Sequence, residues 1–310
     1  MDFIANLERR AEMMRSIRDF FDDQGFVEVE TPVRIAAPAP EPHIDCPAVC
    51  AYPDVSPKCY DFLRASPELQ MKKLLAAGMG RIYQIGPCFR EGEKGSRHNP
   101  EFTMLEWYRA GTDYLTVMDD AEALMRGLLR AGLSFREGRA LSRPRTGQSP
   151  SLPMPFQRIT VRDAYAKWAG WDPFTSFDAD RFDFDMAEKI EPNLPRTPLF
   201  LMDYPQEAAS LSRTRTEPDG TIVAERWELY VDGVELANAF SELTDSREQR
   251  WRFELARVQR RELGEADYPL DEDFLDALDA IPSAAGVALG VDRLAMLCCN
   301  AASISDVRFL

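Results

Sequence analysis

The sequence predicts an α+β fold built on an antiparallel sheet, and three observations carry that prediction. ERWELYVDGVELANAF contains two strand-like runs joined at Asp232-Gly233, a pair that favours a two-residue hairpin turn. RIYQIGPCF and EFTMLEWYR read as two further strands on either side of a charged loop. The helical patterns gather elsewhere instead of alternating with strands, which argues against repeated βαβ units and a parallel sheet.

Each element has a local reason. Residues 6 to 22 carry Leu7, Met13, Met14, Ile17, Phe20 and Phe21 as a helical apolar stripe, and Gly25 stops that helix before the β-rich run FVEVETPV. APAPEPHIDCPAV is too rich in proline for a central strand and reads as an extended loop. Ser66 as N-cap and Pro67 in the first turn start a helix through ELQMKKLLAAGM. After a helix around 115 to 132, the stretch RALSRPRTGQSPSLPMP is the most linker-like part of the chain and predicts a surface loop or insertion at about 136–157. Strands LFLMDYP, ERWELYV, VELANAF and GVALGV follow, with helices at 246–263, 271–280 and 292–300.

With 310 residues, 45% of them hydrophobic, the chain can bury a sizeable core, and a single domain over 1–310 is expected. A net charge of -15 counts against broad, sequence-independent binding to nucleic acid, which needs Lys and Arg to neutralise phosphates. No signal peptide and no apolar run of membrane-spanning length are visible, so a cytoplasmic protein with no membrane partner is expected, its six cysteines reduced. His43, Cys46, Cys50 and Cys59 sit close in sequence, but their spacing matches no common zinc finger.

Three stretches carry chemistry. In FREGEKGSRHNPEF and the strand after it, alternation puts Phe102, Met104, Glu106 and Tyr108 on one face, beside Ile82, Gln84, Cys88 and Arg90 of the preceding strand. That face offers a guanidinium for phosphate, a ring for a base, and a carboxylate and phenol for an amine. Taken alone, the stretch is better explained by an ordinary surface hairpin with a charged tip. In the second hairpin, Val231 should face Val234 and Tyr230 should face Glu235, which brings Glu228 diagonally opposite Glu235 at roughly 7 to 8 Å between backbones. Two carboxylates so placed suit a Mg²⁺ ion that also carries phosphate oxygens, the alternative being a solvated hairpin face. Asn238, Phe240 and Glu242 recur at period two on what would be one face. In GVALGVDRLAML, Gly286 and Gly290 let a group approach the strand closely, and Arg293 stands near a helix start, where an anion is favoured.

Together these stretches resemble the class II aminoacyl-tRNA synthetases, specifically the lysyl branch. GFVEVETPV, with Pro32, looks like their first, dimer-forming motif; FRE with RHNPEFTMLEWY looks like the second; GVALGVDR looks like the third. The resemblance spans almost the whole chain. It implies a six- to seven-stranded antiparallel sheet flanked by helices, working as a homodimer with ATP and Mg²⁺. It also implies site roles. Arg90 would hold the α-phosphate and Arg293 the γ-phosphate as the two catalytic arginines, with His98 and Asn99 along the triphosphate and adenine edge and Phe102 stacked on adenine. Glu228, Leu229 and Gly290 would complete the ATP site, and Glu228 with Glu235 would bind the metal. Ser66, Pro67, Glu68, Glu106, Tyr108, Glu235, Asn238, Glu242 and Ala288 would line an amino-acid pocket whose acids suit a lysine-like substrate. Glu68 has a second explanation, as a first-turn acid favoured by the helix dipole. The family usually has glutamate two residues after the second-motif arginine; this chain has Gly92 there, between Glu91 and Glu93, and either glutamate could meet ATP.

Two further departures point to a branch of the family. Lysyl-tRNA synthetases carry an anticodon-binding barrel before the first motif, whereas some twenty-five residues precede it here, which with the acidic charge counts against tRNA as the acceptor. Ala288 stands where the lysyl enzymes usually have glycine. Both fit the synthetase paralogues that activate (R)-β-lysine, or lysine, as an adenylate and ligate it to a lysine ε-amine on elongation factor P. No dedicated base for the transfer step is visible. Arg250, Arg257 and Arg261 on the helix at 246–263 could form a docking stripe or simply a solvated face. The rivals are an asparagine synthetase of the aspartyl branch and an inactive paralogue serving as a binding module, which would be expected to have lost Arg90, Arg293, Glu228 or Glu235.

Overall fold

The computed structural model describes residues 2–50, 61–133 and 155–309. The expected loop at about 136–157 lies almost wholly outside the described residues, as does Cys59. Helix α1 (Phe3–Asp23) opens the chain, followed by short strands β1 (Val27–Glu28), β2 (Arg34–Ile35), β3 (Ala48–Val49) and β4 (Asp61–Leu63). Helix α2 (Glu68–Ala76) leads into the long strands β5 (Arg81–Phe89) and β6 (Glu101–Ala110), then helix α3 (Tyr114–Arg130). Strand β7 (Gln157–Thr160), helices α4 (Val161–Ala164) and α5 (Ala179–Asp185), and strands β8 (Leu199–Pro205) and β9 (Thr214–Thr216) follow. The second long hairpin is β10 (Ile222–Val231) with β11 (Val234–Ser241). Helices α6 (Ser246–Leu263) and α7 (Glu272–Leu278), strand β12 (Ala284–Gly290) and helix α8 (Val291–Cys299) complete it.

The large sheet runs β1-β5-β6-β12-β11-β10-β8-β7, with β9 also paired to β10. Its six central strands, β5 to β8 in that order, are antiparallel throughout. The sheet exceeds the expected six to seven strands because three short pieces join it. β1 and β7 add parallel at the two edges, and β9 pairs antiparallel with part of β10. FVEVETPV yields only the paired residues Val27 and Glu28, with one further bond from the Val29 N–H to Tyr83 O. Strands β2, β4 and β3 form a separate three-stranded sheet.

Alternation along β6 divides the molecule into two layers. Leu105 and Trp107 enter a core with Met13, Ile17 and Phe21 of α1, Val117 and Leu124 of α3, and Leu294 of α8. Truncating a fully buried leucine such as Leu105 to alanine would cost about 2 to 5 kcal/mol. On the opposite face Ile82 and Tyr108 pack with Leu69, Met71 and Leu75 of α2 and with Phe274 and Leu278 of α7. The polar residues of that second face are left to line a cavity.

Some local expectations shift. The cap of α2 is Pro67, one residue later than expected, although the Ser66 hydroxyl still accepts the Glu68 N–H at 2.9 Å. On α6, Arg250 pairs with Glu272, while Arg257 and Arg261 both pair with Asp267, so the arginines of the supposed docking stripe are engaged by the chain's own acids. Cys50 is disulfide-bonded, against the expectation of reduced thiols, while Cys46, Cys88, Cys298 and Cys299 are free and buried. Disulfide formation depends on how closely the fold brings two thiols, which composition does not report.

Candidate active site

The register of the sheet builds the site. Gln84, Glu106, Ala288, Asn238 and Glu228 are successive cross-strand partners, forming one row across β5, β6, β12, β11 and β10. A second row, two residues away, runs Ile82, Tyr108, Gly286, Phe240 and Arg226. On β12 the cavity-facing positions are therefore Gly286, Ala288 and Gly290. Small residues in the middle of the sheet leave a hollow that the long side chains of the flanking strands enclose. The result is a cavity of about 400 Å³ that contains most of the residues expected from sequence.

The hairpin of β10 and β11 brings two sets of residues onto one face by a device the sequence reading lacked. Tyr230 faces Glu235 and Val231 faces Val234, as the Asp232-Gly233 turn predicts. Leu229 then pairs with Ala237 and Glu228 with Asn238, so Leu236 is an extra, bulged residue. Without that bulge Glu235 and Asn238, three residues apart, would point to opposite faces. With it, Glu228, Glu235, Asn238, Phe240 and Glu242 all line the cavity.

At one end lie the cations. Arg90 stands over the Phe102 ring at 5.2 Å and is 3.5 Å from Glu93. Arg293, in the first turn of α8, donates to Glu235 Oε2 at 3.2 Å and lies 2.6 Å from His98 Nε2. The cation beside it, together with burial, which is the larger cause, holds the His98 imidazole below its usual range, so its Nε2 accepts from Arg293. Asp292 fixes this turn by accepting the Thr103 N–H and pairing with Arg10 and Arg308.

Between the two ends, Glu228 receives Arg226 at 2.7 Å and the Tyr230 hydroxyl at 2.7 Å, and Arg226 also donates to Asn238 Oδ1 at 3.0 Å. Burial pushes the Glu235 carboxyl up, Glu228 pushes it further and Arg293 opposes. At the other end, Glu106 accepts Ser66 Oγ at 2.7 Å and Tyr108 OH at 2.9 Å, and burial followed by the nearby Glu68 raises it to about 7. Glu242 is 2% exposed and its Oε1 has no hydrogen-bond partner. This end presents several carboxylates with unused acceptor capacity, which is the chemistry of an amine-binding pocket.

Most expected site residues converge here: Ser66, Glu68, Arg90, Glu93, His98, Asn99, Phe102, Glu106, Tyr108, Glu228, Glu235, Asn238, Glu242, Ala288, Gly290 and Arg293 all line the cavity. Four do not. Leu229 is fully buried in the helical core, since the neighbour of an inward-facing Glu228 must point away. Pro67 is spent capping α2. Glu91 is exposed outside the cavity, with its N–H bonded to Asp45 O, and Gly92 takes the positive φ of the turn, so Glu93 is the glutamate that reaches Arg90. Sequence reasoning missed Glu41, Arg97, Ser210 and Arg226, which also line the cavity. Arg226 was visible as the residue two before Glu228 on the same strand face. Glu41 and Ser210 were not, because they sit in loops whose folding back is not a local property.

Residues 2–310 match the family described as tRNA synthetases class II (D, K and N), and the chain belongs to that family. Among its curated relatives are the proteins named elongation factor P–(R)-β-lysine ligase from Proteus mirabilis and Yersinia enterocolitica. Each is 40% identical over 98% of this chain and 94% of the relative. The protein of the same name from Salmonella gallinarum is 39% identical over the same shares.

Proposed function

We propose that this protein is an ATP-dependent ligase that activates (R)-β-lysine, or lysine, as its adenylate and transfers it to the ε-amine of a lysine on elongation factor P. The observation that carries the reading is the pairing of opposites in one cavity. Arg90 and Arg293 stand at one end and Glu68, Glu106 and Glu242 at the other, with the Glu242 Oε1 buried and unpartnered. The phosphates of ATP occupy the first end and the amines of a diamino acid the second.

The first step needs alignment more than acid–base chemistry. The substrate carboxylate attacks the α-phosphorus in line and pyrophosphate leaves; Arg90 meets the charge developing on the α-phosphate and Arg293 holds the far end of the triphosphate. Phe102, already under the Arg90 guanidinium, offers its ring to adenine. Glu228 and Glu235, which line the cavity together between its two ends, would hold a Mg²⁺ ion with the nucleotide's phosphate oxygens as further hard ligands. The ion supplies charge neutralisation for the phosphates. In the second step the acceptor ε-amine, in its neutral form, attacks the adenylate carbonyl, an amide forms and AMP leaves. Ala288, between Glu106 and Asn238, puts a methyl group on the pocket floor and so sets how closely an amine approaches that row.

The protein acts in the cytoplasm as a homodimer; GFVEVETPV, which looks like the dimer-forming first motif of the family the chain belongs to, supports the dimer. Pyrophosphate exchange with (R)-β-lysine, L-lysine and L-aspartate tests activation, and elongation factor P or tRNA added afterwards tests transfer. Exchange driven by the diamino acids with label passing to elongation factor P is expected. Exchange with none of them, or label passing to tRNA alone, would overturn the reading.

A further inference from the structure

Lys72 takes no part in the reading above, and it lies directly behind the amine end of the cavity. It is completely buried on α2, the hydrophobic-face helix, and its ammonium reaches two pocket acids. Nζ lies 2.6 Å from Glu68 Oε1, one helical turn earlier, and forms an ion pair with Glu242 Oε2 from the segment after β11. It also stands 5.4 Å over the Phe240 ring. A lysine is rarely found in such a place without a partner, and removing one member of a buried pair strands the other.

We propose that Lys72 is a positioning residue that sets the charge and the orientation of the amine pocket. It occupies one oxygen of Glu242 and one of Glu68, tying a helix and a strand end together. The remaining Glu242 oxygen, Oε1, is turned toward Gly286, standing 2.6 Å from where a side chain there would begin. Three carboxylates, those of Glu68, Glu106 and Glu242, thus share one resident ammonium. The acceptor capacity left over, the Glu242 Oε1 above all, suits an ammonium of the substrate.

The groups facing this centre are Glu68 and Lys72 from α2, Glu106 and Tyr108 from β6, Glu242 itself, Glu41, which lines the same cavity beside Glu68, and Arg64, which draws Glu106 down. Burial pushes Glu242 up, Lys72 pulls it back, and Glu68 and Glu106 push it up again. Without the Lys72 ammonium, Glu242, which burial already pushes up, would keep a proton at neutral pH that a substrate amine would have to displace. Binding would then weaken at pH 7 and recover as pH rises and that proton is lost.

This inference rests on the proposed ligase reading. The test is pyrophosphate exchange across pH 6.5 to 9.5 with Lys72→Met and Lys72→Gln, together with thermal melting. At pH 7 the KM for the diamino acid should rise at least about thirtyfold in both variants, as for loss of one partner of a buried charge pair, with the KM for ATP unchanged. The ratio of variant to wild-type KM should shrink toward pH 9. Variants with wild-type amino-acid KM and pH profile would overturn the role while leaving the ligase reading intact. A rise that is the same at every pH, or unfolding of both variants, would make Lys72 merely structural. Wild-type protein that exchanges with no diamino acid would instead overturn the ligase reading, and this inference with it.

Discussion

Two glycines that look alike in sequence differ in the structure. A Cβ on Gly286 would overlap the Tyr108 ring, which is itself 3% exposed and has nowhere to move. Gly286→Ala should therefore cost about 1 to 3 kcal/mol in urea unfolding and raise the KM for the amino acid more than that for ATP. Gly290 has φ of -74°, and an added Cβ would meet only Arg293 carbons, the nearest at 3.7 Å. Gly290→Ala should unfold within about 0.5 kcal/mol of wild type. Glu106 makes a pH-dependent contribution of definite sign. Its carboxyl titrates near 4.5 when unfolded and near 7 when folded, chiefly because it is buried. Between those values the unfolded chain binds fewer protons than the folded one, so stability falls as pH rises, by about 3 kcal/mol in total, and levels off above 7. Glu41, Glu235 and Glu242 are shifted in the same direction by burial and add to the slope. Melting curves at pH 5, 6, 7 and 8 should show Glu106→Gln losing part of that fall. An identical slope in the variant would show that Glu106 does not titrate in this range.

At the scale of elements, the hairpin of β10 and β11 shows what a sequence can and cannot specify. Its turn was legible because the requirement is local: Asp232 and Gly233 have φ of 51° and 70°, and few residue pairs accept two positive values in succession. Asp232→Val should cost about 1 to 2 kcal/mol and raise the KM for ATP by loosening Glu235, while Asp232→Asn should be near neutral in both measurements. The bulge at Leu236 was not legible, since the residue is apolar and buried like its neighbours and nothing in VELANAF marks it as extra. Helix ends were read well wherever a cap or a glycine marks them, as at Asp245 and Gly264 around α6. The short edge strands were not, because two to four residues of pairing are decided by what lies alongside. In the site, residues on long strands were found by their period of two. Lys72 was visible as the i+4 neighbour of Glu68, but its complete burial was not, and burial is what gives it a role.

For the whole molecule, the charge distribution bears on the choice of acceptor. The chain has 37 basic and 52 acidic residues, and many of its arginines are already paired to its own carboxylates, as on α6. Inside the cavity the balance is local: Arg90, Arg97, Arg226 and Arg293 converge on a space sized for one nucleotide and one amino acid. A tRNA needs instead a broad basic surface, because each phosphate contact releases counterions and the sum sets the affinity. An excess of fifteen negative charges opposes a broad surface of that kind. Unfractionated tRNA should therefore neither accept label nor slow transfer to elongation factor P, even at low salt, where a weak electrostatic attraction would be strongest. The measurement is label transfer from the adenylate to each acceptor at 20 and 200 mM salt, with the other acceptor present as competitor. Inhibition by tRNA that disappears at the higher salt would reveal a basic surface formed on assembly of two copies. Label arriving on tRNA would place the chain with the members of its family that charge nucleic acid. Transfer to the protein acceptor alone, at both salts, is what a chain with this net negative charge and with these four arginines gathered in its cavity should give.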